Sequence, residues 1–297
     1  MPLPRHDPEG APSITATSKA SVDLGAVQET LLIPLVGRAM ETRKGHGLID
    51  DPLAVEIVNA LDYDFDRWRN APSLVGACFR TRIYDGFVRE FLTRYPMGTV
   101  VELGCGLNTR FDRVDNGTVE WFDLDLPDVI ALRRQFVDDK PRCTMLAASV
   151  LDLDWIAKVQ ASDGPWMFVS EAVLIYLEAA EVKTALRNIV ASVPRALIAL
   201  DTTSTEMVNT QAKHDAMKHL PPESWFRWAC DDPREMEAWM AGVSLDRSLT
   251  FLDMDKDLIR YLPWPQRIVM RFAPGLMARR VGGYRMNLLR TGAPPLA

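Results

Sequence analysis

The run Val100-Val101-Glu102-Leu103-Gly104-Cys105-Gly106-Leu107-Asn108-Thr109-Arg110, answered by Trp121-Phe122-Asp123-Leu124-Asp125-Leu126-Pro127, decides how this chain is read. The first segment has the character of a buried strand that ends in an acid and two glycines. Gly104 and Gly106 permit a tight strand-to-helix turn and let a ligand approach bare backbone. The second segment is another strand closing on carboxylates. From Gly104 to Asp125 is 125 − 104 = 21 positions, about the offset at which an acid one strand over meets a ribose hydroxyl. A dinucleotide fingerprint needs a third glycine three residues after Gly106, where this chain has Thr109. Glu102 would sit badly beside a diphosphate but well near an ammonium. A GxG turn alone is weak, because many strand–turn–helix junctions carry one. With the Asp125 offset it points to an adenosine-containing cofactor, and to S-adenosylmethionine ahead of NAD.

The composition bounds the partners. The chain has 297 residues, 47% hydrophobic and 25% charged, with a net charge of −6, which describes a soluble globular protein with a substantial core. An acidic balance argues against a nucleic-acid surface; Arg133-Arg134 and Arg279-Arg280 read as solvated helix faces. No apolar run reaches the roughly 18–20 residues that cross a bilayer. The N-terminus, rich in Pro and charge, lacks the apolar core of a signal peptide, so a cytoplasmic location is expected, with no membrane partner. Cys78, Cys105, Cys143 and Cys230 lie far apart, without a CxxC. Neither a metal nor a disulfide framework is expected, and Cys105 reads as a small buried residue of the glycine turn.

Residues 1–18, with Pro2, Pro4, Pro8 and Pro12 among Ser and Thr, read as a disordered N-terminus. Residues 19–297 read as one domain, opened by a helical cap over residues 19–96. In the cap, Ala26, Thr30, Ile33 and Gly37 mark one helix face and Ala54, Ile57, Val58 and Leu61 another. Asp50-Asp51-Pro52 is a helix start. From residue 97 onward strands alternate with helices. Strands are expected at Val100–Leu103, Val119–Asp123, Arg142–Ala147, Trp166–Ser170 and Ala196–Asp201, and helices at Pro127–Phe136, Asp154–Val159 and Ala179–Ser192. Such alternation implies a doubly wound parallel sheet of α/β, Rossmann-like class. Glu102, Asp125, Ser149 and Glu171 then fall at the carboxyl ends of its strands, where such sheets bind ligands. An insertion at about 203–242 follows, with a helix through His214 to Leu220 and another opened by a capping-box pattern at Asp232-Pro233-Arg234-Glu235 and closed by Gly242. Val243–Met254 and Tyr284–Leu289 alternate like an antiparallel edge pair. Five parallel strands plus that terminal pair make the class I methyltransferase sheet, with the insertion placed before strand 6 as a substrate lid.

These residues resemble the leucine carboxyl methyltransferase family, in its bacterial branch of tetracenomycin-type polyketide O-methyltransferases. The resemblance rests on Glu29-Thr30-Leu31-Leu32, Arg38-Ala39-Met40-Glu41, Asp50-Asp51-Pro52-Leu53-Ala54 and Arg80-Thr81-Arg82-Ile83-Tyr84-Asp85. Leu103–Arg110, Asp125-Leu126-Pro127 with Arg133-Arg134, and Ser170-Glu171-Ala172-Val173-Leu174-Ile175-Tyr176-Leu177 continue it in the same order. Asn108 stands where the family usually has Asp. The resemblance implies that Arg80 pairs with the methionine carboxylate of the cofactor. It also implies that the Gly104 carbonyl meets the cofactor's amino group, that Asp125 (followed by Leu126) holds the ribose, and that Glu171 lies near the ammonium. Ser149-Val150 occupies the place of an Asp-Leu pair at the adenine, with Asp152 as an alternative acid.

Other roles for these residues stay open in the sequence. Arg80 could pair at the surface, Glu171 could cap the helix that follows, and Asp125 could be the N-cap before Pro127. Tyr176 and His214 are the weak catalytic candidates; His214 and His219 lie in a polar stretch that reads as solvated. The expected reaction is in-line methyl transfer to a carboxyl or hydroxyl oxygen of a small, aromatic or polyketide-like acceptor, leaving S-adenosylhomocysteine. A carboxylate acceptor is already ionised at neutral pH and needs no base, whereas a hydroxyl would need one. Trp225-Phe226-Arg227-Trp228 reads as the wall of the acceptor pocket. An S-adenosylmethionine-binding protein without transferase activity and an NAD-dependent oxidoreductase are the alternatives. The sequence leaves a homo-oligomer open.

Overall fold

The computed structural model describes residues 19–22, 24–193, 195–253, 256–262, 264–272, 275 and 282–292. The N-terminal segment read as disordered, the Arg279-Arg280 pair and Met254 therefore lie outside the described residues. The cap holds α1 (Leu32–Thr42), α2 (Pro52–Ala60) and the long α3 (Ser73–Arg94), as its periodicity predicts. It also holds a two-stranded parallel sheet, β1 (Ala20–Ser21) with β2 (Leu61–Asp62), that periodicity did not announce. At α2, the Asp51 side chain accepts from the Ala54 amide and Pro52 takes the first turn, where a missing N–H costs nothing. Ala54, Ile57 and Val58 are buried, as expected. In α1 the buried face is Leu32, Leu35, Val36, Gly37 and Ala39. Thr30 and Ile33, expected on that face, instead line a cleft.

The main sheet begins with β3 (Thr99–Leu103), buried at every position because strands flank it and helices cover both faces. There follow α4 (Arg110–Val114), β4 (Glu120–Asp125), α5 (Pro127–Arg133), β5 (Cys143–Ala147), α6 (Asp154–Gln160), β6 (Trp166–Ser170), α7 (Ala179–Ser192) and β7 (Ala196–Thr203). After β7 come α8 (Thr205–Thr210), β8 (Val243–Leu249), α9 (Trp264–Phe272) and β9 (Tyr284–Thr291). The order across the sheet is β5-β4-β3-β6-β7-β9-β8. The first five strands are parallel; β9 runs antiparallel to β7, and β8 to β9. This is the α/β architecture expected, with the edge pair where the alternation placed it. Chain direction across the sheet reverses at β3, so a crevice opens between the carboxyl ends of β4, β3 and β6.

The insertion departs from expectation. No helix runs from His214 to Leu220; short 3-10 turns stand at Gln211–Lys213 and Met217–His219. Asp232-Pro233-Arg234-Glu235 forms no capping box. It opens a 3-10 helix, Pro233–Ala238, in which Asp232 accepts from the Arg234 amide. The tighter winding brings that amide, and not the one at the third helical position, within reach of the carboxylate. A capping box does form at α7, between Glu178 and Glu181. The insertion is stitched to the cap: Trp68 Nε1 donates to Ala216 O (3.3 Å), the Ser73 amide to Asp215 (2.9 Å) and Ser224 Oγ to Ala26 O (2.6 Å). Among the described residues no helix is long and apolar enough to cross a membrane.

Candidate active site

The carboxyl ends of β3, β4 and β6 open into a cleft of about 940 Å³. Arg80, Glu102, Gly104, Gly106, Asp125, Leu126, Ser149, Val150, Glu171, Tyr176 and His214 all line it. The turn after β3 takes its shape from its glycines. Gly104 has φ +68°, and a Cβ there would lie 2.4 Å from Val173 Cγ2. Gly106 has φ +50°, and its amide donates to Asp125 Oδ2 at 2.7 Å. Asp125 Oδ1 accepts from the Leu126 amide (2.8 Å). Leu126, not Asp125, holds the N-cap position of α5, so the acid is left facing the cleft. Burial lifts Asp125 to about 6 despite those two amides.

Arg80 comes from the middle of α3 and is not a surface residue. Its Nε donates to Glu171 Oε1 (2.9 Å) and its Nη1 to Tyr284 Oη (3.0 Å). Glu171 caps no helix; it also accepts from Thr81 Oγ1 (2.8 Å) and from Arg110. Although burial pushes it upward, Arg110 and Arg80 hold Glu171 below the ordinary carboxylate range. Glu102 accepts from Arg110 and, at 3.0 Å, from Asn108 Nδ2, all through Oε1. Its other oxygen is buried without a partner, and burial lifts this carboxyl to about 7.

Asp152 is not brought to the cleft. It is exposed, and its Oδ2 takes the Ser149 amide (2.8 Å), closing the turn that carries Ser149 and Val150. His214 reaches the cleft wall, yet its Nδ1 accepts from the Ala216 and Met217 amides (3.3 Å each). The same Nδ1 lies 3.5 Å from Asp215 Oδ1, so the ring is held in the cleft wall by its own loop. Tyr176 packs on Phe226, ring centres 5.4 Å apart, and burial lifts its hydroxyl to about 12. Of the aromatic run, Phe226 and Arg227 line the cleft. Trp228 instead is core, 2% exposed and packed on Trp239.

A buried charge network beneath the cleft escaped the sequence reading. Arg110, 1% exposed, binds Asp85 (2.9 Å), Glu102 and Glu171. Arg113 binds Asp85 (2.9 Å), and Arg38 binds Asp51 (2.7 Å) and donates to Leu107 O (2.7 Å). Arg133 was expected on a solvated face. It is 2% exposed, binds Asp123 (2.6 Å) and donates to the Gly106 and Asn108 carbonyls (3.0 and 2.6 Å). It bonds the glycine turn from beneath because α5 docks there and β4 supplies the counter-charge. One signal was present. Asp85 stands among Tyr84, Phe87 and Val88, at a position where α3 buries its side chains, and a charge there requires a partner.

The raised carboxyls fix the sign of one pH dependence. Glu102 moves from 4.5 to about 7, so the folded state keeps a proton that the unfolded chain has released. Stability contributed by this group therefore declines as pH rises through that window. Asp125 and Asp201, both lifted from 3.8 to about 6, act in the same direction. Denaturant unfolding across pH 5–7.5 (roughly the Glu102 window) is expected to show declining stability, and Glu102→Gln to flatten the decline. An unchanged slope in the variant would remove Glu102 as a source.

The model of the family described as leucine carboxyl methyltransferase matches residues 32–190. The chain belongs to the leucine carboxyl methyltransferase family. It is 32% identical over 235 residues to the tetracenomycin polyketide synthesis O-methyltransferase TcmP of Streptomyces glaucescens, covering 78% of this chain and 86% of that protein. The S-adenosyl-L-methionine-dependent methyltransferase dpfgK of Gibberella zeae is 27% identical over 286 residues, covering 86% and 92%. A candidate methyltransferase structure from Thermobifida fusca superposes with a TM-score of 0.52 at 16% identity, covering 87% of this chain and 95% of that one. A duf574 family protein from Streptomyces avermitilis does so at 0.54 and 13%, covering 86% and 97%. These two show the fold. As a member of the leucine carboxyl methyltransferase family the chain is an S-adenosylmethionine-dependent methyltransferase, which sets aside the oxidoreductase reading.

Proposed function

We propose that this methyltransferase moves the methyl group of S-adenosylmethionine to an oxygen of a small apolar acceptor, of aromatic or polyketide-like shape and preferentially through a carboxylate. One observation carries the donor half. Two glycines at positive φ, an acid one strand over and a buried carboxylate oxygen without a partner converge on one cleft. The unpartnered Glu102 oxygen suits the donor's ammonium, since a buried anion needs a counter-charge. Both Glu171 oxygens already receive arginines, so Glu171 serves by holding Arg80 beside the cleft for the donor's carboxylate. Asp125 is assigned the ribose hydroxyls, the Gly104 carbonyl the amino group, and Leu126 with the Ser149-Val150 turn the adenine.

The donor, when bound, supplies an electrophilic methyl group on a sulfonium. What the chain adds is alignment and exclusion of water. Phe79, Tyr176, Met207, Phe226 and Phe251 line the acceptor side of the cleft, an apolar wall suited to a flat substrate. A carboxylate acceptor arrives ionised and needs no proton removed, which favours it over a hydroxyl. The resemblance to a polyketide O-methyltransferase over most of both chains supports the acceptor class.

Incubation with donor and a panel of aromatic acids, phenols and host extract is expected to yield mass gains of about 14 Da, one methylene, on acidic apolar compounds. Gains confined to phenols would overturn the carboxylate preference. Arg80→Ala is expected to weaken S-adenosylhomocysteine binding about 10–100-fold by calorimetry. The fold should survive, since Glu171 keeps Arg110 and Thr81. Unchanged affinity would remove Arg80 from the site.

A further inference from the structure

At the far edge of the same cleft stands a hydrogen-bonded ring, two of whose members, Tyr284 and Asp201, neither the motifs nor the family resemblance pointed to. Asp201 lies in the buried C-terminal half of β7 and is itself fully buried. Its Oδ2 accepts from the Ala172 amide at 2.7 Å and from the Tyr284 hydroxyl. Tyr284 opens β9, the antiparallel strand that pairs with β7 (Thr203 opposite Tyr284), and its ring lies 5.8 Å from that of Phe251. The Tyr284 hydroxyl in turn accepts from Arg80 Nη1, and Arg80 Nε bonds Glu171, the residue before Ala172. The ring therefore runs Arg80, Tyr284, Asp201, Ala172, Glu171 and back to Arg80.

Ala172 is the one non-glycine residue with positive φ (+55°) among the described residues. That conformation costs an alanine free energy and persists only where surroundings enforce it. Asp201 enforces it by taking the Ala172 amide. The turn it holds aims Glu171 back at Arg80 and sets Val173 against Gly104. Arg80 is thus clamped on two sides, by a carboxylate from β6's end and a phenol from β9.

We propose that Tyr284 and Asp201 are positioning residues for the amino-acid end of the methyl donor. They fix the Arg80 guanidinium and the Glu171–Val173 turn, and touch neither the nucleoside nor the acceptor's reacting oxygen. The proposal rests on the donor assignment above. It explains why an antiparallel strand far along the chain carries a buried phenol pointing into the cleft of the parallel sheet.

Two probes separate a positioning role from a merely structural one: S-adenosylhomocysteine, which has the amino-acid arm, and 5′-methylthioadenosine, which lacks it. In Tyr284→Phe, affinity for S-adenosylhomocysteine by calorimetry is expected to fall about tenfold while methylthioadenosine binds as in wild type. The acceptor KM should stay unchanged as the donor KM rises. Asp201→Asn, which keeps an acceptor for the Ala172 amide, is expected to show the same selectivity and decides the matter should Tyr284→Phe fail to fold. Equal losses for both probes, or none for S-adenosylhomocysteine in a folded variant, would overturn the proposal. Wild-type protein that binds neither probe would overturn the donor assignment itself, and this proposal with it.

Discussion

Arg110→Met is expected to destabilise the protein by about 3–5 kcal/mol, or to prevent its isolation as a folded species. The reason is the number of anions that share this one cation. Asp85, Glu102 and Glu171 all bond its guanidinium, and all four side chains are almost fully buried. Methionine approximates the volume but leaves three carboxylates with less counter-charge. Glu171 keeps Arg80, and Asp85 keeps Arg113, whereas Glu102 keeps only the Asn108 amide. The remedy is therefore specific. Adding Glu102→Gln to Arg110→Met should recover part of the loss, a coupling that independent sites would not show. Urea unfolding of both variants and of the double variant measures it. A loss below about 1 kcal/mol, the scale of an exposed pair, would mean that the network is solvated in solution.

Gly104→Ala is expected to cost about 2–4 kcal/mol of stability and to lower S-adenosylhomocysteine affinity by more than tenfold. Two effects add at this position. The φ of +68° is strained for alanine, and the new Cβ would come within 2.4 Å of Val173 Cγ2 and 3.1 Å of Val173 Cβ. Valine is branched at Cβ and has no slack rotamer to retreat into. Its own backbone follows Ala172, held by Asp201. The clash is thus resolved by moving either the glycine turn or the Glu171–Val173 turn, and the proposed donor site uses both. Thermal melting and calorimetry on the same preparation test this. Wild-type affinity in the variant would show that the turn's position is not what binding requires.

The two roles of buried charge in this site differ in how well a sequence can announce them. Strands β3, β4, β6 and β7 were legible because their apolar runs are bounded by glycine, proline or carboxylates, and parallel burial leaves no alternation to confuse. Glu102, Asp125 and Glu171 were legible because strand ends in such a sheet point into its crevice. Arg133 was not, because one arginine of an Arg-Arg pair looks like any helix-surface charge until α5 is docked on the glycine turn. Tyr284 and Asp201 lie 83 residues apart in sequence, and only the antiparallel pairing of β7 with β9 brings them together. The insertion misled for another reason. Its Gln, Ala, Lys and Met residues satisfy helix propensity, but bonds to the cap from Ala216, Asp215 and Ser224 hold it in short 3-10 turns. Tertiary contacts override a weak local preference.

By itself, then, the order of residues determined the sheet, its glycine turn and the acid one strand over, since each follows from local spacing along one strand or one turn. The tertiary structure alone decided which charges face the cleft and which lie beneath it. It also decided that Arg80 is held from β9. Those outcomes depend on desolvation and on partners distant in sequence: a buried charge persists only where folding delivers its counter-charge, and no local pattern records that delivery.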